Sequence, residues 1–164
     1  MQATLKKAPE LRIQTWLNTN ETLSLAELKG KVIAIFAFQM LCPGCVEHSI
    51  PQAKKVYRLF NSNDLIVVGL HTVFENHEAM KEVSLRVFLH EYRIDFPVGI
   101  DMPSSDGSPN PMTMTAYQMG GTPTLILIDR NGYLRKKKFG HEHDLMLGAE
   151  LASLISEQHL NNGN

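Results

Sequence analysis

The feature that most constrains the fold is a buried-strand pattern that runs directly into a cysteine pair. Residues 31–38, KVIAIFAF, are a nearly continuous run of β-branched and aromatic residues, typical of a central strand covered on both faces. Cys42 and Cys45 follow, and they are the only cysteines of the chain. Beyond them, apolar residues recur at helical spacing: Val46, Ile50, Ala53, Tyr57 and Phe60. The order strand, cysteine pair, helix predicts a site at the carboxyl end of a strand.

The remaining segments alternate between strand and helix patterns. Strand patterns cover residues 10–17, 64–73, 96–101, 122–129 and 133–140. Helical patterns cover residues 24–28, 77–92, 113–119 and 144–160. The Asn-Gly pair in residues 129–132 predicts a hairpin turn between the last two strands. We therefore predict a single α/β domain over residues 1–164, with its core at about 8–158, in which a central mixed sheet carries helices on both faces.

The composition gives no support for nucleic-acid binding or for a membrane-spanning protein. The chain has 164 residues, 43% of them hydrophobic and 20% charged, and a net charge of −1, which gives no reason to invoke nucleic acid or an anionic membrane. No segment approaches the roughly 18 apolar residues of a membrane span. The first residues, MQATLKKAPELRIQ, lack the apolar core of a secretory signal. We expect a cytoplasmic protein if the chain is full length, and a periplasmic one if a signal was removed.

The spacing of the cysteines favours redox chemistry. In a helix, residues three apart lie on one face with their α-carbons about 5 Å apart, within disulfide range. Cys42 would lie at the helix N-terminus, where unpaired N–H groups and the helix dipole favour a thiolate. Pro43 would occupy the first helical position, where its missing N–H costs nothing. We predict that Cys42 attacks and that the less exposed Cys45 resolves, while metal binding and simple packing remain alternatives.

The chain resembles the thioredoxin superfamily, and within it the TlpA-like or ResA-like branch that overlaps the peroxiredoxin-related redoxin domain. Four features carry the resemblance. Residues 8–38 look like that branch's N-terminal hairpin and its entry to the central strand, and CPGC stands at the active-site position, followed by a kinking Pro51. FPVGID (96–101) looks like its inserted strand. GGTPTLILIDRNGYL (120–134) looks like the strand that follows a cis proline, here Pro123.

This resemblance implies a thioredoxin-like fold with an N-terminal β-hairpin extension and a β-α insertion. It implies thiol–disulfide oxidoreductase activity without a prosthetic group or metal. Pro123 would lie beside Cys42, and the backbone of Thr122 would pair with an extended substrate segment. Leu41 and Pro43 would contact the same substrate. The implied partners are protein or small-molecule disulfides and thiols, together with an electron donor that the sequence does not identify.

The chain departs from the family in its proton carrier. Thioredoxin has a buried acid six residues before the first cysteine, and here that residue is Phe36, which cannot move a proton. His48, one turn beyond Cys45 on the same helix face, is one candidate carrier. Glu75, after the second predicted buried strand, is another. For both residues, a solvated side chain without a role is the competing interpretation.

Two other activities fit a thioredoxin-like fold. A peroxiredoxin-like peroxidase needs a Pro-x-x-x-Thr-x-x-Cys frame, but Ile35 and Gln39 occupy the Pro and Thr positions before Cys42. A Cu(I)-binding chaperone would use thiolate and thioether ligands, for which the cysteines, Met40 and the MTM run at 112–114 are candidates. His48 could add an imidazole ligand from the same helix as the cysteines. Such chaperones place three residues between their cysteines, whereas this chain has two. Both activities therefore rank below thiol–disulfide exchange.

Overall fold

A six-stranded mixed sheet organises the molecule. The computed structural model describes residues 5–157. The strands are β1 (Ile13–Leu17), β2 (Val32–Phe38), β3 (Leu65–His71), β4 (Val98–Asp101), β5 (Thr124–Ile128) and β6 (Leu134–Phe139). Their spatial order is β1-β4-β3-β2-β5-β6, in which β2, β3 and β4 run parallel and the other neighbours run antiparallel. The predicted mixed sheet is therefore confirmed.

Both faces of the central strand are covered. Every residue of β2 is buried, and its side chains alternate between two hydrophobic clusters. The helices that complete the fold are α1 (Ile50–Leu59), α2 (Glu82–Glu91), α3 (Met112–Ala116) and α4 (Asp144–Ser156). Buried residues of α1, α2 and α4 join the cluster on the Phe36 side, while Met114 of α3 joins the cluster on the Ile35 side. The prediction of helices on both faces is confirmed.

The predicted N-terminal hairpin is wrong. Within residues 5–157, the N-terminal extension contributes one edge strand, β1, which pairs antiparallel with β4. The residues after β1 do not return as a strand, because the Glu10 carboxylate accepts hydrogen bonds from the N–H groups of Leu25 and Ala26 and holds a turn there. Ile13 packs so closely over Gly99 that an added Cβ would lie 2.8 Å from its side chain. The predicted insertion is confirmed, because β4 separates β1 from β3.

The helix predicted over 77–92 is also wrong as one element. A 3₁₀ turn over His77–Met80 is separated from α2 by Lys81, which is extended with ψ 166°. This break turns Met80 into the core, where it is 4% exposed. The end of the helix predicted over 144–160 lies outside the described residues, as do the ends of the predicted domain. The assignment of a single domain stays a prediction.

The parallel strands point toward the cysteine pair. The chain leaves β2 at Phe38 and reaches Cys42 four residues later, at the carboxyl edge of the parallel strands. Open α/β sheets form their binding crevices at this edge. None of the helices described between residues 5 and 157 is long and apolar enough to cross a membrane.

Candidate functional site

Cys42 and Cys45 form a disulfide at the start of a helical segment. Their α-carbons are 5.2 Å apart, as the helical spacing predicts. The helical segment begins at Pro43, so Cys42 occupies the N-cap position. Cys42 is half-buried, whereas Cys45 is completely buried. Of the two cysteines, Cys42 is therefore the one that solvent can reach.

One backbone N–H group donates to the Cys42 sulfur, and another donates to the Cys42 carbonyl. The N–H of Cys45, at the third helical position, donates to Cys42 Sγ over 3.2 Å, the same geometry in which an oxygen side chain caps a helix. The N–H of Val46 donates to the Cys42 carbonyl over 3.1 Å. Pro43 fills the first position, where no N–H is needed. A thiolate at Cys42 would be stabilised by this N–H and by the positive end of the helix.

The helix is irregular just after the cysteines. Residues Cys45–Ser49 form a π turn, in which the N–H of Ile50 donates to the Cys45 carbonyl five residues earlier. Pro51 follows and cannot donate a backbone hydrogen bond, so the ordinary α-helical ladder is interrupted at this point. The disturbance expected at Pro51 thus takes the form of a π turn that begins at Cys45.

The Thr122–Pro123 peptide bond is cis and lies against the disulfide. The Thr122 carbonyl oxygen is 3.6 Å from Cys42 Sγ, and the Pro123 ring lies 3.5 Å from where a Cβ on Gly44 would be. Gly140 N–H donates to the Pro123 carbonyl over 2.8 Å and ties this segment to the end of β6. The structure therefore brings Thr122 and Pro123 to Cys42, as the resemblance implied.

The neighbouring apolar positions are open to solvent. Leu41 is 60% exposed, and Pro43 is also exposed. Thr122 and Pro123 are half-buried. These residues border one side of the disulfide and leave its Cys42 end accessible.

Two residues that sequence reasoning missed hold the turn before Cys42. Gln39 is buried; its Oε1 accepts from the N–H of Phe74 and its carbonyl accepts from the N–H of Cys42. His71 is 1% exposed, and its Nε2 accepts from the N–H of Met40 over 3.4 Å. Burial lowers the pKa of His71 to about 4, so the ring is neutral at pH 7. The sequence feature that could have identified these two residues is their position, because both lie at or just beyond the ends of strands.

The two candidate proton carriers lie on opposite sides of the pair. His48 is 54% exposed, with its ring centroid 5.0 Å from that of His141. Glu75 is exposed, and its carboxylate accepts from Gln39 Nε2 over 3.4 Å, which connects it to the site indirectly. In the part of the chain that the structure describes, neither side chain hydrogen-bonds to a cysteine.

No group of three or more His, Cys, Asp or Glu side chains among residues 5–157 has a geometry that could hold a metal ion. Phe36, at the position of thioredoxin's buried acid, is 2% exposed and packs in the core.

Comparisons with known proteins agree with this architecture. The family model described as Redoxin matches residues 4–150. The crystal structure of a thioredoxin-like superfamily protein superimposes with a TM-score of 0.89 and 59% identity, covering 92% of this chain and 97% of that one. The structure of a thiol-disulfide isomerase from Corynebacterium glutamicum gives a TM-score of 0.87 and 47% identity with the same coverage.

A longer protein also contains a similar segment. Protein DipZ of Mycobacterium tuberculosis is 32% identical over 138 residues, which are 81% of this chain but 18% of DipZ. The chain thus spans less than a fifth of that relative, although it spans nearly the whole of the two solved structures.

Proposed function

The chain belongs to the Redoxin family of thioredoxin-like proteins, and we propose that it is a thiol–disulfide oxidoreductase that works through Cys42 and Cys45. Cys42 is the attacking cysteine and Cys45 the resolving one. The observation that carries this proposal is the pairing of a half-buried, N–H-supported sulfur with a completely buried partner three residues away.

The first step is attack on the substrate. The Cys42 thiolate attacks one sulfur of a disulfide, the substrate S–S bond breaks, and the released sulfur leaves as a thiolate that takes a proton. A mixed disulfide between Cys42 and the substrate remains. The Cys45 N–H and the helix N-terminus support the Cys42 sulfur both as nucleophile and as leaving group.

The second step closes the cycle on the protein. Cys45 gives up its proton and attacks Cys42 Sγ, and the second substrate sulfur leaves as a thiol after protonation. Two electrons have then passed from the protein dithiol to the substrate, and the Cys42–Cys45 disulfide has formed. The reverse sequence oxidises a substrate dithiol. His48 and Glu75 are the proposed carriers of the Cys45 proton.

The substrate segment lies along Thr122 and Pro123. We place it there because the Thr122 carbonyl reaches Cys42 Sγ, while Leu41 and Pro43 offer exposed apolar surface beside it. Protein disulfides or small disulfides serve as substrates, and a separate thiol donor or acceptor resets the couple. A reducing cytoplasm would keep the pair as a dithiol, whereas an oxidising periplasm would favour the disulfide.

Trapping experiments test the division of roles. With 5,5′-dithiobis(2-nitrobenzoate), Cys45→Ser should release one equivalent of thionitrobenzoate per protein and retain the other as a mixed disulfide on Cys42. Cys42→Ser should react far more slowly, because its remaining thiol is buried. Mass spectrometry of the adducts identifies the modified cysteine. Adducts that form on Cys42→Ser and not on Cys45→Ser would reverse the two roles.

A further inference from the structure

The outward side of α1 forms a groove that begins beside the cysteine pair. It has a volume of about 450 Å³ and lies between α1 and Tyr92, the residue that follows α2. Val46, which directly follows Cys45, lines its near end, and the Val46 N–H donates to the Cys42 carbonyl. Leu59, the last residue of α1, lines its far end. We call it the α1 groove, and its near end adjoins the redox site.

Helical spacing separates the groove from the core. Residues of α1 that line it recur three or four positions apart: Pro51, Lys54, Lys55, Arg58 and Leu59. They therefore share one side of the helix, while Ala53 and Val56 on the other side are buried in the core. Lys54 Nζ donates to the Tyr92 carbonyl over 2.8 Å and joins the two walls. The groove is thus a built feature of the contact between α1 and the end of α2.

The groove is lined by positive charge alone. Lys54, Lys55 and Arg58 line it, and no acidic residue among residues 5–157 does. Lys55 pairs with Asp144 over 2.8 Å, but Lys54 bonds to an uncharged carbonyl, and Arg58 forms no ion pair in the described part of the chain. Because the whole chain has a net charge of −1, this excess of positive charge is local. It favours a guest that carries carboxylates.

The groove also offers apolar surface. Leu59 is 79% exposed and Tyr92 is 45% exposed, and both line the groove together with the half-buried Val46 and Pro51. Large apolar side chains that are grouped on a surface and bordered by polar residues are typical of interaction sites. The guest should therefore carry an apolar side chain among its carboxylates.

The extent of the groove fits a short peptide segment better than a membrane. Arg58 also lines the neighbouring cleft, where two further arginines are accompanied by two acids: Arg86, Arg93, Glu91 and Asp95. The charge of that cleft is mixed, so the purely cationic surface ends at Arg58. Clusters that bind anionic lipids typically have about 4–8 basic residues, more than line this groove. The lining side of α1 spans about 12 Å, which about four residues of extended chain would cover.

We propose that the α1 groove is the docking surface for an acidic segment of the protein whose disulfide is exchanged at Cys42. Carboxylates of the segment pair with Lys54 and Arg58, and an apolar side chain packs on Leu59 and Tyr92. This inference rests on the proposed thiol–disulfide activity and states the kind of partner that the activity serves. Contacts in the groove hold the partner while its sulfur reaches Cys42, so they raise the rate by binding and leave the exchange chemistry unchanged.

Two synthetic peptides test the charge preference on the reduced protein. Each has one cysteine joined to 5-thio-2-nitrobenzoate as a mixed disulfide, a flexible Gly-Ser spacer, and either Asp-Leu-Glu-Glu or Lys-Leu-Lys-Lys. Both are made with the cysteine at either end, and the release of thionitrobenzoate measures exchange. At low salt the acidic peptide should react about five- to tenfold faster in at least one orientation, and high salt should reduce the difference. Equal rates in both orientations, or faster exchange with the lysine peptide, would overturn the proposal.

Paired charge variants locate the preference. Lys54→Gln combined with Arg58→Gln should remove most of it. Lys6→Gln combined with Lys29→Gln is the matched control, because it removes the same charge from two exposed lysines near the amino end of β2, at the opposite end of the strand from Cys42. A preference lost equally in both double variants would come from overall charge and would refute docking in the groove.

An apolar variant tests the second contact. Leu59→Gln should slow exchange with the acidic peptide about threefold, because the leucine of the peptide loses part of its apolar surface contact. Leu145→Gln, at a leucine of α4 that is 90% exposed, is the matched control and should react like the parent. Equal rates in the two variants would remove Leu59 from the docking surface and contradict its apolar part.

A small disulfide separates the failure of this inference from the failure of the proposed function. 2,2′-Dithiodipyridine is uncharged, and its reaction with Cys42 reports thiol exchange without docking. If it reacts while the peptides show no charge preference, the docking surface is refuted and the proposed function stands. If neither it nor the peptides react, the proposed function fails as well. Sedimentation with phosphatidylserine vesicles that requires Lys54 and Arg58, without a peptide preference, would assign the groove to a membrane surface and overturn the proposal.

Discussion

The two flanks of the cysteine pair hold their polar groups in different ways. The β3-side flank consists of Gln39, His71 and Glu75, and its two buried members are uncharged and bond directly to the turn before Cys42. The β6-side flank consists of His48, His141 and Glu142. There the buried member is a carboxylate, while the two histidines are exposed.

The charges of the β6-side flank are used to hold its loop. Glu142 pairs with Lys136 and Lys138, and its carbonyl accepts from Gln52 Nε2 of α1 over 2.6 Å. No residue of this network hydrogen-bonds to a cysteine in the described part of the chain. The β3-side flank therefore positions Cys42, whereas the β6-side flank fixes the loop after β6 and leaves its two histidines exposed to water.

Glu142→Gln should have the largest effect, on stability. Removing one partner of a buried ion pair costs about 3–5 kcal/mol. We expect about 3, the low end, because only Glu142 is buried while its lysine partners are 20% and 38% exposed, and because Lys136 keeps its contacts with Glu150. The midpoint of thermal unfolding should fall by about 6–12 °C for a chain of this length. Glu157→Gln, which loses an ion pair with Arg135 at the surface, should cost no more than about 1 kcal/mol. If urea unfolding gives equal losses of unfolding free energy for Glu142→Gln and Glu157→Gln, the ion pairs of Glu142 contribute no more than a surface ion pair.

The same glutamate gives the flank a pH dependence. Hydrogen bonds from Lys136 and Lys138 lower the pKa of Glu142 to about 2, from 4.5 in an unfolded chain. Its contribution to stability is therefore fully present above about pH 4.5 and disappears as the pH falls toward 2. Urea unfolding should show a constant difference between the parent and Glu142→Gln near neutral pH, and a shrinking difference below pH 4.5. A difference that stays constant down to pH 3 would contradict this.

Gln39→Leu should affect the β3-side flank. There we expect the rate of attack by Cys42 to change more than the free energy of unfolding. Leucine fits the buried space but leaves the Phe74 N–H without its acceptor and loosens the link to Glu75. We expect an unfolding cost of about 1–2 kcal/mol and a first attack by Cys42 slowed roughly three- to tenfold, because its turn is held less firmly. Stopped-flow reaction with a chromogenic disulfide measures that step.

Gln14→Leu is the matched control for this change. Gln14 is exposed on β1, so its replacement should leave the rate of attack unchanged. If Gln39→Leu attacks as fast as the parent and as Gln14→Leu, the β3-side flank does not position Cys42.

The sequence predicted the parts of the site that depend on local pattern. The run of buried residues in β2 and the helical spacing after Cys45 place both sulfurs at the carboxyl edge, and the family resemblance supplied Pro123. The sequence did not predict which distant segments meet at the cysteine site. Gln39 contacts Glu75, and His48 of the helical segment lies against His141. Gln39, Glu75 and His141 belong to loops whose sequences carry no periodicity. The pairing of β1 with β4 was missed for the same reason, because alternation identifies a strand but not its neighbour.

The break at Lys81 shows how tertiary packing overrides a local pattern. Residues 77–92 have helical spacing throughout, and spacing alone predicts one element. Met80 is buried directly before the break at Lys81, and burying a methionine side chain contributes about 1.5–3 kcal/mol, which offsets the lost helical turn.

His48→Ala should have the smallest effect, and it tests the histidines of the β6-side flank as proton carriers. Another group must accept the proton of the Cys45 thiol, because the Phe36 side chain cannot bind a proton and Cys45 is completely buried. General-base assistance is typically worth about 10²–10⁴-fold, but His48 is 54% exposed, and water or the neighbouring His141 can replace it in part. We therefore expect the resolving step to slow less than about tenfold at pH 7, while the first attack is unchanged.

Rapid mixing with a model disulfide separates the two steps. His90→Ala, an exposed histidine on α2, should behave like the parent protein. The double variant His48→Ala and His141→Ala should resolve more slowly than either single variant if the two rings substitute for each other, since their centroids are 5.0 Å apart. Unchanged resolution in the double variant would remove the β6-side flank from proton transfer. Glu75→Gln would then be the decisive variant, because Glu75 reaches the turn before Cys42 through Gln39 and is the candidate carrier on the β3-side flank.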